Sequence, residues 1–157
     1  MAIHKILIND FISDNYELIA IHTTIDDYKM AYLLNSSLEI QLKKNEKEIE
    51  VAIPGGKSAF NNFIFEDKKK DIVWSLIANK TSFLTNEQKH SDLFGNEAVT
   101  VYLLPEFKKV DYFLKIENID YEFDESKMIA EILKIKNISS VYTIEKKQIK
   151  SKNNLIF

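Results

Sequence analysis

The sequence predicts an α+β domain, a mostly antiparallel sheet with two amphipathic helices packed on one of its faces. Three observations carry this expectation. Apolar residues recur at spacing two in many short runs, the runs are joined by polar turns too short to hold crossover helices, and a helical period appears in only two places. At 157 residues the whole chain, 1–157, is expected to form one domain. A chain of this length buries roughly 68–70% of the surface its unfolded form exposes, so it needs no disulfide or metal staple.

His4–Ile8 and Tyr16–His22 read as strands joined by a polar turn at Ser13, Asp14 and Asn15. Thr24 stands where a helix N-cap would, with Asp27 three residues on in the place of a capping-box acid. Ile25, Tyr28, Ala31, Tyr32, Leu34 and Leu38 then give the apolar stripe of a helix over Ile25–Leu38. Leu38, Ile40 and Leu42 alternate, Lys43–Glu48 turns the chain, and Ile49, Val51 and Ile53 alternate again, which predicts a hairpin. Pro54, Gly55 and Gly56 break that pattern.

Ala59–Glu66 and Ile72–Ala78 are aromatic and β-branched runs on either side of a charged turn, the mark of another hairpin. Asn79–Asn96 is an extended polar stretch, read as a surface excursion or a short helix. Val99–Leu104 is a strand that must stop at Pro105, because proline has no amide hydrogen and pushes Leu104 to extended geometry. Beyond the short connection of Glu106, Phe107, Lys108 and Lys109, Val110, Tyr112, Leu114 and Ile116 fall on one face of a half-buried strand. Asp111, Phe113, Lys115 and Glu117 take the other. Asp124 caps a second helix over Glu125–Lys136 with apolar positions Met128, Ile129, Ile132, Leu133 and Ile135, and Ser140–Ile144 is a last strand.

Composition narrows the function classes. The chain has no cysteine, which argues against a disulfide scaffold or a thiolate zinc site. No apolar run approaches about 18 residues, so no membrane association is expected and the protein reads as cytoplasmic. Its 24 acids and 21 basic residues nearly balance, and every basic residue is a lysine. Without arginine, the side chain that grips phosphate and guanine in two places, sequence-specific nucleic-acid recognition is disfavoured.

Pro105-Glu106-Phe107-Lys108-Lys109-Val110-Asp111-Tyr112 resembles the signature of the bacterial IPExxVDY family, with Leu104 in place of the isoleucine. Tyr16–Asn35, the tryptophan followed by Asn79-Lys80, and the closing Asn154-Leu155-Ile156-Phe157 are similar to the same family, so the resemblance spans nearly the full length. It implies no established activity and no catalytic residues.

The remaining motifs are weak. Gly55-Gly56-Lys57-Ser58 lacks the first glycine of a phosphate loop, where Val51 stands, and a strand-like run follows it. A glycine turn and no nucleotide hydrolysis are expected. His4, His22 and His90 have no second ligand at metal spacing, no serine lies in a nucleophile elbow, and Asp26, Asp27, Glu106 and Asp111 are ordinary for a polar surface. Trp74, Phe63 and Phe65 beside Lys68–Lys70 could be an RNA platform, but aromatics alternating in strands more often form core.

The expectation is therefore a non-catalytic interaction or adaptor protein that binds another cytoplasmic protein, with no cofactor and no metal. An RNA-associated module and a small-ligand or acyl-chain binding domain are the alternatives. Glu106, Phe107, Lys108, Lys109 and Asp111 are the candidate interaction surface, against a structural reading in which Asp111 bonds backbone amides of the neighbouring turn. Leu155, Ile156 and Phe157, within a tail at 151–157, are expected to dock on the domain or on a partner.

Overall fold

A computed structural model of the chain describes residues 15–84 and 98–157. The expected strand at His4–Ile8, most of the polar turn after it, His4, His90 and Gly95 lie outside those residues. Strands β1 (Tyr16–Thr23), β2 (Lys43–Lys44), β5 (Asn62–Asp67), β6 (Ile72–Ala78), β9 (Tyr112–Glu117) and β10 (Ile138–Thr143) form a sheet in the order β10-β1-β9-β6-β5-β2. Every pairing in it is antiparallel. Strands β3 (Ile49–Ile53) and β4 (Gly56–Phe60) form one separate hairpin, and β7 (Lys80–Leu84) and β8 (Ala98–Tyr102) pair in another two-stranded sheet. This is the α+β architecture expected.

The period of two separates two cores. Ile19 and Ile21 of β1, Trp74 and Leu76 of β6, and Leu114 and Ile116 of β9 point to the side covered by helices α1 (Asp27–Leu38) and α2 (Glu125–Leu133). Met30, Ala31 and Leu34 of α1 and Met128 and Ile132 of α2 close this layer. Leu18, Ala20, Ile77 and Phe113 point the other way, and there Ile49, Phe60, Leu103, Leu104, Val110, Ile149 and Leu155 cover them. The sheet is thus buried on both faces, and β9 is not the half-buried strand its alternation suggests.

Several boundaries differ for local reasons. The N-cap of α1 is Asp26, not Thr24, and it makes no side-chain capping bond. Tyr28 and Tyr32 lie on the exposed side, and Met30 takes the core position, because Met30, Ala31 and Leu34 share an arc of about 100° around the helix axis and the two tyrosines fall outside it. Glu39, in the left-handed region at φ 54°, ends the helix, so Leu38 and Ile40 do not enter a strand. The hairpin forms instead across Pro54-Gly55: proline suits the first central position, and Gly55, at φ 92°, supplies the positive angle a type II turn needs. Ala59–Glu66 is cut by Asn61 into β4 and β5, which belong to different sheets.

Lys80–Leu84, read as the start of a polar excursion, is the strand that pairs with β8. Asp124 caps α2 as expected, its carboxylate accepting the amide N–H of Lys127 at 2.9 Å, but the helix ends at Leu133. Phe63 and Trp74 are buried beneath the helices, so they offer no solvent-facing aromatic platform. Among the described residues no helix is long and apolar enough to cross a membrane.

Candidate functional site

The segment Leu103–Tyr112 leaves β8, makes a 3-10 turn at Pro105–Phe107 and enters β9. Such a turn leaves backbone groups without strand partners, and buried ones must be satisfied by something else. Asn79, at the end of β6 and 0% exposed, does this. Its Nδ2 donates to the carbonyls of Phe107 and Val110, both at 2.9 Å, and its Oδ1 accepts the amide of Leu104 at 3.0 Å. Its backbone N–H donates to the Asp111 carbonyl at 3.0 Å and its carbonyl accepts from Leu103 at 2.9 Å.

The acids of the turn tie it to distant segments. One Glu106 oxygen accepts the backbone amides of Lys150 and Ser151 at 2.7 and 2.8 Å, and the other accepts the Ser151 hydroxyl at 3.0 Å. Burial alone would raise the Glu106 carboxyl, but the hydrogen bonds from Ser151, its own backbone and Lys150 outweigh that and hold it below its ordinary 4.5. Asp111 accepts the amide of Thr23 at 2.9 Å and the ammonium of Lys80 at 2.8 Å. The expected bond to a backbone amide is present, and the amide is that of Thr23 at the end of β1. Tyr112 donates its hydroxyl to the Ile25 carbonyl at 2.7 Å, just ahead of α1. Burial, then the negative charges of Asp27, Asp26 and Asp111, push that hydroxyl up to about 12.

The expected interaction residues therefore divide. The carboxylates of Glu106 and Asp111 have internal partners, and Phe107 is half-buried with its ring edge-on to Phe113 at 6.3 Å. Lys108 and Lys109 are exposed, Lys108 lying over the Tyr102 ring at 5.8 Å. Val110 joins the core opposite to that of Tyr112, because it still belongs to the turn, where its amide donates to Phe107.

At the end of the chain Leu155 is buried, while Ile156 and Phe157 remain 52% and 49% exposed. The buried Lys115 of β9 donates to the Leu155 carbonyl and to Glu117, both at 3.0 Å. Its ammonium lies 4.8 Å from the Phe157 ring centre and 5.2 Å from that of Tyr16. Asn154 adds a bond to the Leu103 carbonyl at 2.7 Å.

Two clefts border this framework and another lies under the helices. One of about 600 Å³ runs between β3 and the chain end and is lined by Glu46, Lys47, Glu48 and Glu50 together with Ile156 and Phe157. A second, of about 630 Å³, lies between the helices and β6, floored by Trp74, Phe123 and Met128 and rimmed by acids including Glu39, Asp120 and Glu122. The third, of about 590 Å³, lies beside Tyr112 and Lys80, between the start of α1, β4 and β7. Among the described residues no group of three acids or histidines is placed to hold a metal ion. His22 is hydrogen-bonded to the Tyr142 hydroxyl at 2.9 Å.

Lys115 did not stand out as a site residue in the sequence, and Ser58, which lines the cleft beside Tyr112, drew notice there only as the last residue of the weak motif Gly55–Ser58. A lysine in an alternating strand reads as solvated, and although the apolar chain end is expected to dock, nothing around Lys115 says that it docks there. Compared with protein-family models, curated proteins and solved structures, the chain finds no match.

Proposed function

We propose that this chain is a non-catalytic interaction protein of the cytoplasm, belonging to the bacterial IPExxVDY family. It takes up an apolar and basic segment of a partner protein in the cleft between its chain end and β3. One observation carries the reading: Ile156 and Phe157 stay about half exposed in a cleft lined by three acids, Glu46, Glu48 and Glu50, against one lysine, Lys47, although Glu106, Lys115 and Asn154 fix the residues just before them. Apolar side chains held in place yet left in water gain stability when a partner covers them, and acids at the rim favour a partner bearing lysine or arginine. The absence of cysteine is in keeping with a reducing compartment.

Under this reading the Pro105–Tyr112 turn is scaffold. It seats the chain end through Glu106, and its acids are not the contact surface.

The test is copurification with a tagged full chain, quantified against Ile156→Ser/Phe157→Ser and against Glu46→Gln/Glu48→Gln. Both variants should melt within a few degrees of the wild type, because these side chains are exposed or half exposed. The partner should be lost from the first and reduced in the second. Equal recovery of the same proteins by all three forms would remove the proposal.

A further inference from the structure

The cleft beside Tyr112 carries a different kind of site. We infer that it binds a small organic polycation of the linear aliphatic polyamine class.

Charge is the first argument. The lining holds two lysines, and each is already engaged by an acid outside it, Lys57 by Glu50 at 3.1 Å and Lys80 by Asp111 at 2.8 Å. That leaves Asp26, Asp27 and Glu48 lining the space, with Lys44 4.0 Å from Glu48 and its ammonium bonded to Oδ1 of Asn61, another residue of the lining. Asp27 is fixed by the amides of Tyr28 and Asn61, at 2.7 and 2.9 Å. Asp26, although it is the N-cap of α1, makes no capping bond. The same field reaches the hydroxyl of Tyr112, which burial raises first and Asp27 and Asp26 raise further.

A second, independent observation points to a ligand. Ser58 lines this cleft at 3% exposure, and its hydroxyl has no hydrogen-bond partner. Buried polar groups are nearly always satisfied, so a lone hydroxyl beside a cleft, its oxygen closed to solvent as it stands, marks a place where a donor from outside can be accepted once the side chain turns toward it. Rotation about one side-chain torsion re-aims it.

The chemistry of the lining selects the class. Acids spread along the cleft, rather than gathered around one point, suit a cation whose charge is also spread along its length. Methylene groups between the ammonium centres would lie against Ala59, Ala78 and Phe83, and the hydroxyls of Ser58 and Ser82 can accept from nitrogen.

The experiment is calorimetric titration of the full chain with spermidine at low ionic strength, where exposed charges are least screened. A single saturable site is expected. Asp26→Asn/Glu48→Gln should weaken it by about tenfold. Ser58→Ala should weaken it by about threefold without lowering the melting temperature, since no internal bond is lost. Asp120→Asn/Glu122→Gln, at the cleft between the helices, should bind as the wild type does. No saturable heat up to millimolar spermidine, equal weakening in both acid variants, or unchanged affinity in Ser58→Ala would each overturn the assignment.

Discussion

The carboxylate of Asp111 accepts the backbone N–H of Thr23 at 2.9 Å, joining the entrance of β9 to the end of β1 across 88 positions of sequence. Thr23 is also where the pairing of β1 with β10 shifts register, so this amide has left the regular ladder and takes a side-chain acceptor instead.

Asp111→Ala should therefore lower stability by about 1–3 kcal/mol, because it leaves a partly buried donor unpaired. Asp111→Asn keeps an oxygen for Thr23 and loses only the attraction to Lys80, whose side chain is 40% exposed. The loss there should be below about 1 kcal/mol, and Lys80→Met should match it. Urea melts of the three variants decide this, and an asparagine as damaging as alanine would show that the ion pair, not the amide bond, is what matters.

Asn79 should be the most sensitive polar position of the turn. Asn79→Ala strips one donor pair and one acceptor from Phe107, Val110 and Leu104, all within the fold, at a cost of roughly 3–5 kcal/mol. Asn79→Asp should be no better, since a carboxylate would face two carbonyl oxygens. A chemical denaturation series reads the effect directly. A loss under about 1 kcal/mol in either variant would mean that the turn holds its shape without this side chain.

The sheet was legible in the sequence because its signal is local. Ile19 and Ile21 against Leu18 and Ala20, or Asp124 before Met128 and Ile132, state the period and the cap within a few residues. What was not legible depends on partners far along the chain. Nothing around Asn61 says that the run from Ala59 to Glu66 changes sheets there. Lys115 looks solvated until the Leu155 carbonyl arrives from 40 residues away, and the same holds for Glu106 and the amides of Lys150 and Ser151. The motif Pro105–Tyr112 announced a turn, but the roles of its acids lay in segments that no pattern within it describes.

Glu106 makes the attachment of the chain end pH-dependent. Its carboxyl is held below the ordinary 4.5, so the stabilisation is fully present above that value and is lost as pH falls through the lower folded one. As pH falls through that lower folded value, the amide resonances of Lys150 and Ser151 should move together toward unbonded positions. In Glu106→Gln they should be unbonded or weakly bonded at every pH and show no titration. Amide shifts that follow the same curve in both proteins would place the sensitivity elsewhere.

The last relationship is that between Lys115 and Leu155. A lysine only 5% exposed must be hydrogen-bonded, and its ammonium finds the Leu155 carbonyl and Glu117, with Tyr16 and Phe157 on its flanks. The chain end is thus held by two different forces, the apolar Leu155 side chain packed into the core and the ammonium bonded to its backbone. Leu155→Ala should cost about 2–4 kcal/mol from the cavity it leaves. Removing Ile156 and Phe157 alone should cost about 1 kcal/mol or less, since half of each side chain is already in water and the main loss is one cation–ring contact. Lys115→Met keeps the apolar stem but deprives a buried carbonyl of its donor, for about 1–3 kcal/mol. The two substitutions Lys115→Met and Leu155→Ala should add to less than their sum, because either one loosens the same segment. Thermal and urea melts of the single and double variants measure that coupling. Strict additivity would show that the ammonium and the leucine hold the chain end independently, and a truncation at Ile156 as costly as Leu155→Ala would show that the exposed pair is part of the core after all.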